Sequence, residues 1–378
     1  MKKFVELIQR VHNERFSVVM NKIAAEKIPV AFLSLAPIDA AVEIVKNLRG
    51  QGLNISKLIT LQPPPADSEL DFDIIHLSDA AKIYPRLEYV LVIDDVAARV
   101  AVKNLPNSKV LSINRGDTEH IYQVFMNHLS DLQDVYESLI DEESKKTFCG
   151  YWFGNISNRI GEIVYSSTPH YILSGFIPEK DAVIIDGGAY DGGTATIFSA
   201  MGCRVYGFEI DKISFETAKK VAAEKNFVIE NCGLGSYKHE MRYTPSGSYA
   251  NHFDAGGSDI TQVTTIDAYA RENNLPSVDF IKLDVEGAEL DTLKGAKISI
   301  ARFKPILALS AYHKLEDFWT LMNFIKSIRP DYEFAMRQYP ETAEDVPLIF
   351  NQGRDEIYVK LGIEPELRKF DECVLFAR

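Results

Sequence analysis

Val183-Ile184-Ile185-Asp186-Gly187-Gly188-Ala189-Tyr190-Asp191-Gly192-Gly193-Thr194 is the stretch that decides the fold. A β-branched run ends in an acid, a glycine-rich turn follows, and Thr194 to Ala200 then reads as a helix. The next apolar run, Val205-Tyr206-Gly207-Phe208-Glu209, ends in a second carboxylate. In parallel α/β sheets ligands bind at the carboxyl tips of the strands. Asp186 and Glu209 therefore stand at neighbouring tips of one expected site.

A strand, glycines and a helix often mark a nucleotide, because helix-opening N–H groups attract phosphate. Here Asp186 and Asp191 repel a pyrophosphate held at that helix start. S-adenosylmethionine fits better. It has no phosphate, it carries a cationic amino group and a sulfonium, and its ribose diol suits two hydrogen bonds to Glu209. Charge-assisted bonds of that kind contribute roughly 1.5–3 kcal/mol each.

At 378 residues the chain exceeds one typical domain, so two are expected. Its 46% hydrophobic and 25% charged residues are those of an ordinary globular protein, and no apolar run approaches a membrane span. The start, Met1-Lys2-Lys3-Phe4-Val5-Glu6-Leu7, lacks the features of a signal peptide, which points to the cytoplasm. Cys149, Cys203, Cys232 and Cys373 form no CxxC pair, so buried thiols are expected rather than zinc or disulfides. A net charge of -13 gives no footprint for a nucleic-acid backbone.

Outward toward the N-terminus, Phe4, Val5, Leu7, Ile8, Val11 and Phe16 recur at helical steps and predict an amphipathic helix from Met1 to about Glu26. Short β-rich runs then alternate with helical stretches: Val30 to Leu35, a helix over Ala40 to Leu48, Leu58 to Leu61, Ile74 to Leu77, Tyr89 to Ile93 and Lys109 to Ile113. This predicts a small Rossmann-like α/β domain over 1–117. Its opening turn, Ser34-Leu35-Ala36-Pro37-Ile38-Asp39, has no glycine fingerprint, and Asp39 is placed to cap the next helix. A scaffold or dimerisation role is the plainer expectation, and holding part of the substrate is the other. Asp94 and Asp95 end a strand where ligands bind, although such pairs more often cap helices. A helical connector over 118–146 sets the boundary, and the aromatic run Thr147 to Phe153 is expected to pack against the domain that follows.

Residues 147–378 hold seven strand-like runs: Val183 to Ile185, Val205 to Phe208, Phe227 to Ile229, Phe280 to Leu283, Ile306 to Ser310, Tyr332 to Met336 and Val374 to Ala377. Helices fall at Thr194 to Ala200, Ser214 to Ala223, Ile266 to Glu272, Ala288 to Leu293 and Glu316 to Ile328. The last two strands, joined by a loop of about 35 residues, should pair antiparallel at one edge. Five alternating parallel units with a terminal hairpin form the seven-stranded Rossmann-like sheet of a class I methyltransferase.

Four blocks carry a closer likeness: Ile185 to Gly192; Gly207-Phe208-Glu209; Asp279 to Glu289 with Leu293-Lys294-Gly295-Ala296; and Ala311-Tyr312-His313-Lys314-Leu315-Glu316-Asp317. Through them the segment from about 145 to 378 resembles the FkbM-type S-adenosylmethionine-dependent methyltransferases. The resemblance implies methylation of a hydroxyl on a sugar, glycan or secondary metabolite. It also implies that Thr168-Pro169-His170-Tyr171-Ile172 closes over the methionine end of the cofactor, with Tyr171 as the contact.

Asp186, Gly187, Gly188, Ala189, Tyr190 and Gly192 are the expected cofactor turn, with Gly188 and Gly192 leaving room for an adenosyl group. Glu209 and Ile210 take the ribose side, and Asn231 and Cys232, after the third run, the adenine; whether Glu230 or Asn231 reads the base stays open. Asp284 ends the fourth run beside the methyl group. Asp284, Glu286 and His313 are the candidate bases, with His313 preferred because it titrates near neutrality. Glu286 is also placed to cap the helix opening at Gly287. No metal is expected, although Asp284, Glu286, Glu289 and His313 are the set that would gather a divalent ion. An NAD-type oxidoreductase is the alternative enzyme, opposed by the acidic turn. A catalytically silent interaction module is the alternative outside enzymes.

Overall fold

The computed structural model describes residues 2–61, 70–83, 89–92, 109–113, 117–159, 162–245, 256–340 and 371–378. The chain divides into two compact units. The described part of the first lies in Met1–Gln133 and Lys146–Tyr165, that of the second in Asp134–Lys145, Ser166–Tyr339 and Glu372–Arg378.

In the first unit β1 (Val30–Leu33), β2 (Ile55–Thr60), β3 (Asp73–His76), β4 (Tyr89–Val92) and β5 (Lys109–Ser112) form one sheet in the order β3-β2-β1-β4-β5. Every pairing is parallel. All residues of β1 and β4 are buried, as strands covered on both faces require. Val30, Phe32, Leu58, Leu91 and Leu111 pack with Ile23 and Val45 from the flanking helices. The predicted N-terminal helix is two, Lys2–Glu14 and Phe16–Ala25, because Arg15 is extended (φ -62°, ψ 152°). Asp39 does not cap its helix. Pro37 holds the cap position, and Asp39 sits inside the first turn, where its charge still favours the helix dipole. Asp94 and Asp95 lie outside the described residues.

The aromatic run after Lys146 belongs to the helix Glu142–Ser157 and packs inside the first unit. Phe148 lies 6.4 Å from Phe4 and Trp152 5.4 Å from Phe125, ring centre to ring centre. Burial of these large side chains is why the compact unit reaches past residue 147.

The second unit contributes β6 (Val183–Gly187), β7 (Arg204–Phe208), β8 (Val228–Glu230), β9 (Gly233–Leu234), β10 (His239–Tyr243), β11 (Asp259–Thr264), β12 (Phe280–Leu283), β13 (Ile306–Ser310), β14 (Phe334–Pro340) and β15 (Asp371–Ala377). Seven of them form the expected sheet, ordered β14-β15-β13-β12-β6-β7-β8. β8, β7, β6, β12 and β13 are parallel, and β15 runs antiparallel to β13. Glu333 and Arg378 exchange backbone hydrogen bonds, which makes β14 and β15 antiparallel as well. A small sheet, β10-β11-β9, and the helix Lys297–Phe303 were not predicted. The core beneath the large sheet gathers Ile184, Phe198, Phe227, Phe280 and Phe376.

This topology places the carboxyl ends of β6, β7, β12 and β13 side by side with the start of antiparallel β15. Among the described residues no helix is long and apolar enough to cross a membrane. None of the four cysteines is in a disulfide; Cys203 and Cys373 are buried and the other two half-buried.

Candidate cofactor and active site

The glycine turn leaves β6 by crossing the backbone of β12. A Cβ on Gly188 (φ +73°) would stand 1.7 Å from the Asp284 carbonyl oxygen, and one on Gly192 (φ +87°) 2.8 Å from the Phe227 ring. These glycines are thus demanded by the chain's own conformation and packing. Asp191 accepts from Gly193 N (2.9 Å) and so occupies one helix-opening N–H that a phosphate would need.

Asp186 stands at the β6 tip, as predicted, with its carboxylate enclosed. It is fully buried, opposite Lys282 in the β6–β12 register, with the ammonium 3.1 Å from its carboxylate. Lys282 also donates to the carbonyls of Gly187 (3.2 Å) and Gly188 (2.6 Å), stapling the turn. Burial opposes the lysine's charge, but Asp186 and Asp284 outweigh it and raise its pKa. One ammonium serves two acids, so Asp186, under its burial penalty, is raised. Lys282 was missed; the signal was a lysine inside the apolar run Phe280 to Leu283.

Glu209 stands where predicted, at the β7 tip, 8% exposed. One carboxylate oxygen accepts from Tyr190 N (2.9 Å) and the other from Asp211 N (2.8 Å). Burial raises its pKa against those two bonds. Each oxygen keeps a second acceptor direction. Asn231 turns its amide nitrogen to the carbonyls of Glu209 (2.9 Å) and Ile210 (3.1 Å), so it cannot offer donor and acceptor to adenine together; only Oδ1 remains. Glu230 accepts from Tyr269 OH (3.0 Å), and burial raises the Cys232 thiol to about 12.

Asp284, Glu286 and His313 come together, and three further groups hold them. Tyr171, buried and at φ +59°, donates to Asp284 Oδ2 (2.9 Å) and meets Ser310 Oγ (3.1 Å), while Tyr312 OH donates to Oδ1 (3.3 Å). Tyr171 is thus an anchor of Asp284. Glu289 takes the capping task assigned to Glu286: its Oε1 accepts from Val285 N (3.0 Å), Gly287 N (3.4 Å) and His313 Nδ1 (2.9 Å). Glu286, at φ +53° before Gly287 at φ +91°, is turned the other way, its carboxylate 3.4 Å from His313 Nε2. That nitrogen is 3.6 Å from Asp284 Oδ1.

Burial disfavours a charged His313, yet Glu289, Asp284 and Glu286 lift its pKa to about 9. At neutral pH the imidazole is then a cation among acids, and it takes up a substrate proton only after losing its own. Burial raises Glu286 to about 7, whereas Asp284, despite burial, is held below its ordinary value by Lys282 and His313. Nearby, His170 stacks on Tyr171 (3.9 Å, 12°) and its Nε2 meets Glu372 (2.8 Å), neither of which was predicted as a site residue.

The parallel sheet with its antiparallel hairpin is the class I methyltransferase fold. Residues 186–339 match the family model described as Methyltransferase FkbM domain. The chain is similar in structure to methyltransferase FkbM from Methylobacillus flagellatus KT, with TM-score 0.59 and 19% identity over 99% of this chain and 98% of that one. Smaller overlaps include a SAM-dependent methyltransferase from Geobacter sulfurreducens in complex with S-adenosyl-L-homocysteine (TM-score 0.30, 12% identity, 56% and 93% covered). An rRNA methylase from Streptococcus thermophilus overlaps to a similar degree (TM-score 0.30, 9% identity, 53% and 89% covered). No protein in the curated set matches.

S-adenosylmethionine is the cofactor of this domain, and the residues fit it. Glu209 has two acceptor directions for a vicinal diol, and Asn231 keeps a carbonyl oxygen free. Around Glu286 the acids Asp284, Glu289 and Glu372 gather against His313, which suits a positively charged methionine end.

Proposed function

We propose that the protein transfers the methyl group of S-adenosylmethionine to a hydroxyl oxygen of a small-molecule or glycan acceptor, such as a sugar or secondary metabolite. The observation that carries this is Glu209, a buried carboxylate fixed by two backbone N–H groups at one strand tip, with a second anchored acid, Asp284, two strands away. When bound, S-adenosylmethionine supplies an electrophilic methyl group. The protein supplies alignment, which for a well-oriented displacement is worth roughly 7–11 kcal/mol.

Tyr171 and Tyr312 hold Asp284 in place, and Asp284, Glu286 and His313 form the surface against which the acceptor hydroxyl lies and into which its proton passes. Proton removal of this kind contributes about 10²- to 10⁴-fold. Support for an oxygen acceptor is the acid–histidine cluster itself, together with the Asp284-Val285-Glu286-Gly287 strand end, which lacks the Asn/Asp-Pro-Pro-aromatic stretch suited to base amines. The net charge of -13 argues against a nucleic-acid acceptor.

The test is calorimetric titration with S-adenosylmethionine and, in parallel, a nicotinamide dinucleotide, followed by labelled-methyl transfer to a panel of sugars and phenols. Binding of the sulfonium compound alone, with transfer to a hydroxyl that Asp284→Asn and His313→Ala each reduce about 10²-fold or more, is expected. Preference for the dinucleotide, or turnover indifferent to both substitutions, overturns the proposal.

A further inference from the structure

We propose that Asp284, Glu286 and His313 bind one divalent metal ion, and that the acceptor oxygen is held through that ion. The second clause rests on the methyltransferase proposal; the metal site does not.

One ligand atom from each residue lies within 4.8 Å of the other two. His313 Nε2 is enclosed and has no hydrogen-bond partner. Its neighbours, Glu286 Oε2 at 3.4 Å and Asp284 Oδ1 at 3.6 Å, are beyond the usual length of an N–H···O bond. They are near the spacing of two atoms on one ion, because ligands at about 2.1 Å and at tetrahedral or octahedral angles stand roughly 3.0–3.4 Å apart. An imidazole with two carboxylates suits manganese, iron or zinc.

The surroundings are those of a metal centre. Sequence alone leaves Glu289 as a fourth ligand. The structure instead gives it to Nδ1 of His313, and since a carboxylate only accepts, Nδ1 keeps its proton; an incoming ion displaces the proton on Nε2 and takes that nitrogen's lone pair. Asp284 is oriented in the same way by Tyr171 and Tyr312. Glu286 reaches the cluster from a left-handed backbone conformation, and it is 24% exposed, which leaves a way in for an ion and an acceptor.

Titration of the protein, freed of metal by chelator, with Mn²⁺ alone, followed by the loss of the free-ion paramagnetic resonance signal, tests the site. One equivalent is expected to bind. Glu286→Gln and His313→Asn each weaken it ten-fold or more, and Glu289→Gln, which touches no ion, weakens it about 10–100-fold. Thermal melts and S-adenosylhomocysteine calorimetry on the same variants report folding and the cofactor site. No bound Mn²⁺, or binding that survives both ligand substitutions in folded protein, overturns the metal site. Homocysteine-compound binding without Mn²⁺ binding leaves the methyltransferase proposal standing, and the reverse outcome removes that proposal alone.

Discussion

The two units are wired alike and differ at their strand tips. β3-β2-β1-β4-β5 in the first and β8-β7-β6-β12-β13 in the second are the same parallel order, with the first strand of each unit at the centre. After β1 the chain reads Ser34-Leu35-Ala36-Pro37, and Ser34 closes its own turn by accepting from Ala36 N (3.3 Å). After β6 the turn crosses Asp284, is stapled by Lys282 and is tied to Glu209. Wiring fixes where a ligand can sit. Chemistry needs buried charges there, and these persist only where neighbouring strands supply partners.

The largest effect expected from breaking that difference is at Lys282. Lys282→Met leaves Asp186 buried without its cation and should lower folding stability by about 3–5 kcal/mol in urea unfolding. Asp186→Asn in that background should recover part of the loss. A Lys282→Met protein as stable as wild type would mean that the Asp186–Lys282 pair is not what shapes this tip.

Buried acids also give the second unit a pH signature. Burial raises Asp317 to about 7, with Glu289 adding repulsion, from an ordinary value of 3.8. A raised acid is held protonated by the fold. Its contribution is therefore complete below pH 4 and is lost as pH rises through 7. Asp317→Asn removes the ionisation, so the variant should gain on wild type above pH 8, by up to about 4 kcal/mol, and lose that advantage near pH 4.5. A stability difference that does not change over this range excludes burial of the charge as its cause.

At the β7 tip the effect is on binding. Glu209→Gln removes one charged acceptor oxygen and should cost roughly 1.5–3 kcal/mol of S-adenosylmethionine affinity, about ten- to 150-fold by calorimetry. Unchanged affinity would detach the cofactor from the one tip that most distinguishes the two units.

Much of this was readable from residues alone. The seven strands of the large sheet follow from β-branched runs, and the terminal hairpin from the lack of a helix between the last two. β9 and β10 escaped because one is two residues long and the other, His239-Glu240-Met241-Arg242-Tyr243, is mostly polar. Asp284, Glu286 and His313 were found because strand ends concentrate chemistry. Their supports were not, for two reasons. Lys282 meets Asp186 only through the β6–β12 register, which no local pattern fixes. The exchange of duties between Glu286 and Glu289 depends on successive left-handed residues, Glu286 and Gly287, and a glutamate before a glycine does not announce that conformation. The double helix at the N-terminus was hidden in the same way, by one extended residue, Arg15.

The smallest expected effect is the sharpest control on the comparison. Ser34 is the first unit's nearest counterpart to the residues that open the β6 turn, and it is buried. Among the described residues its side chain makes one hydrogen bond, a 3.3 Å contact from a backbone N–H in its own turn, and bonds of that kind contribute about 0.5–1.5 kcal/mol. Ser34→Ala should thus lower stability by no more than about 1 kcal/mol and leave S-adenosylmethionine affinity and methyl transfer within error of wild type. If instead it reduced transfer to some acceptors and not others, the first unit's tip would be reading the acceptor, and the two sheets would share a task as well as a strand order.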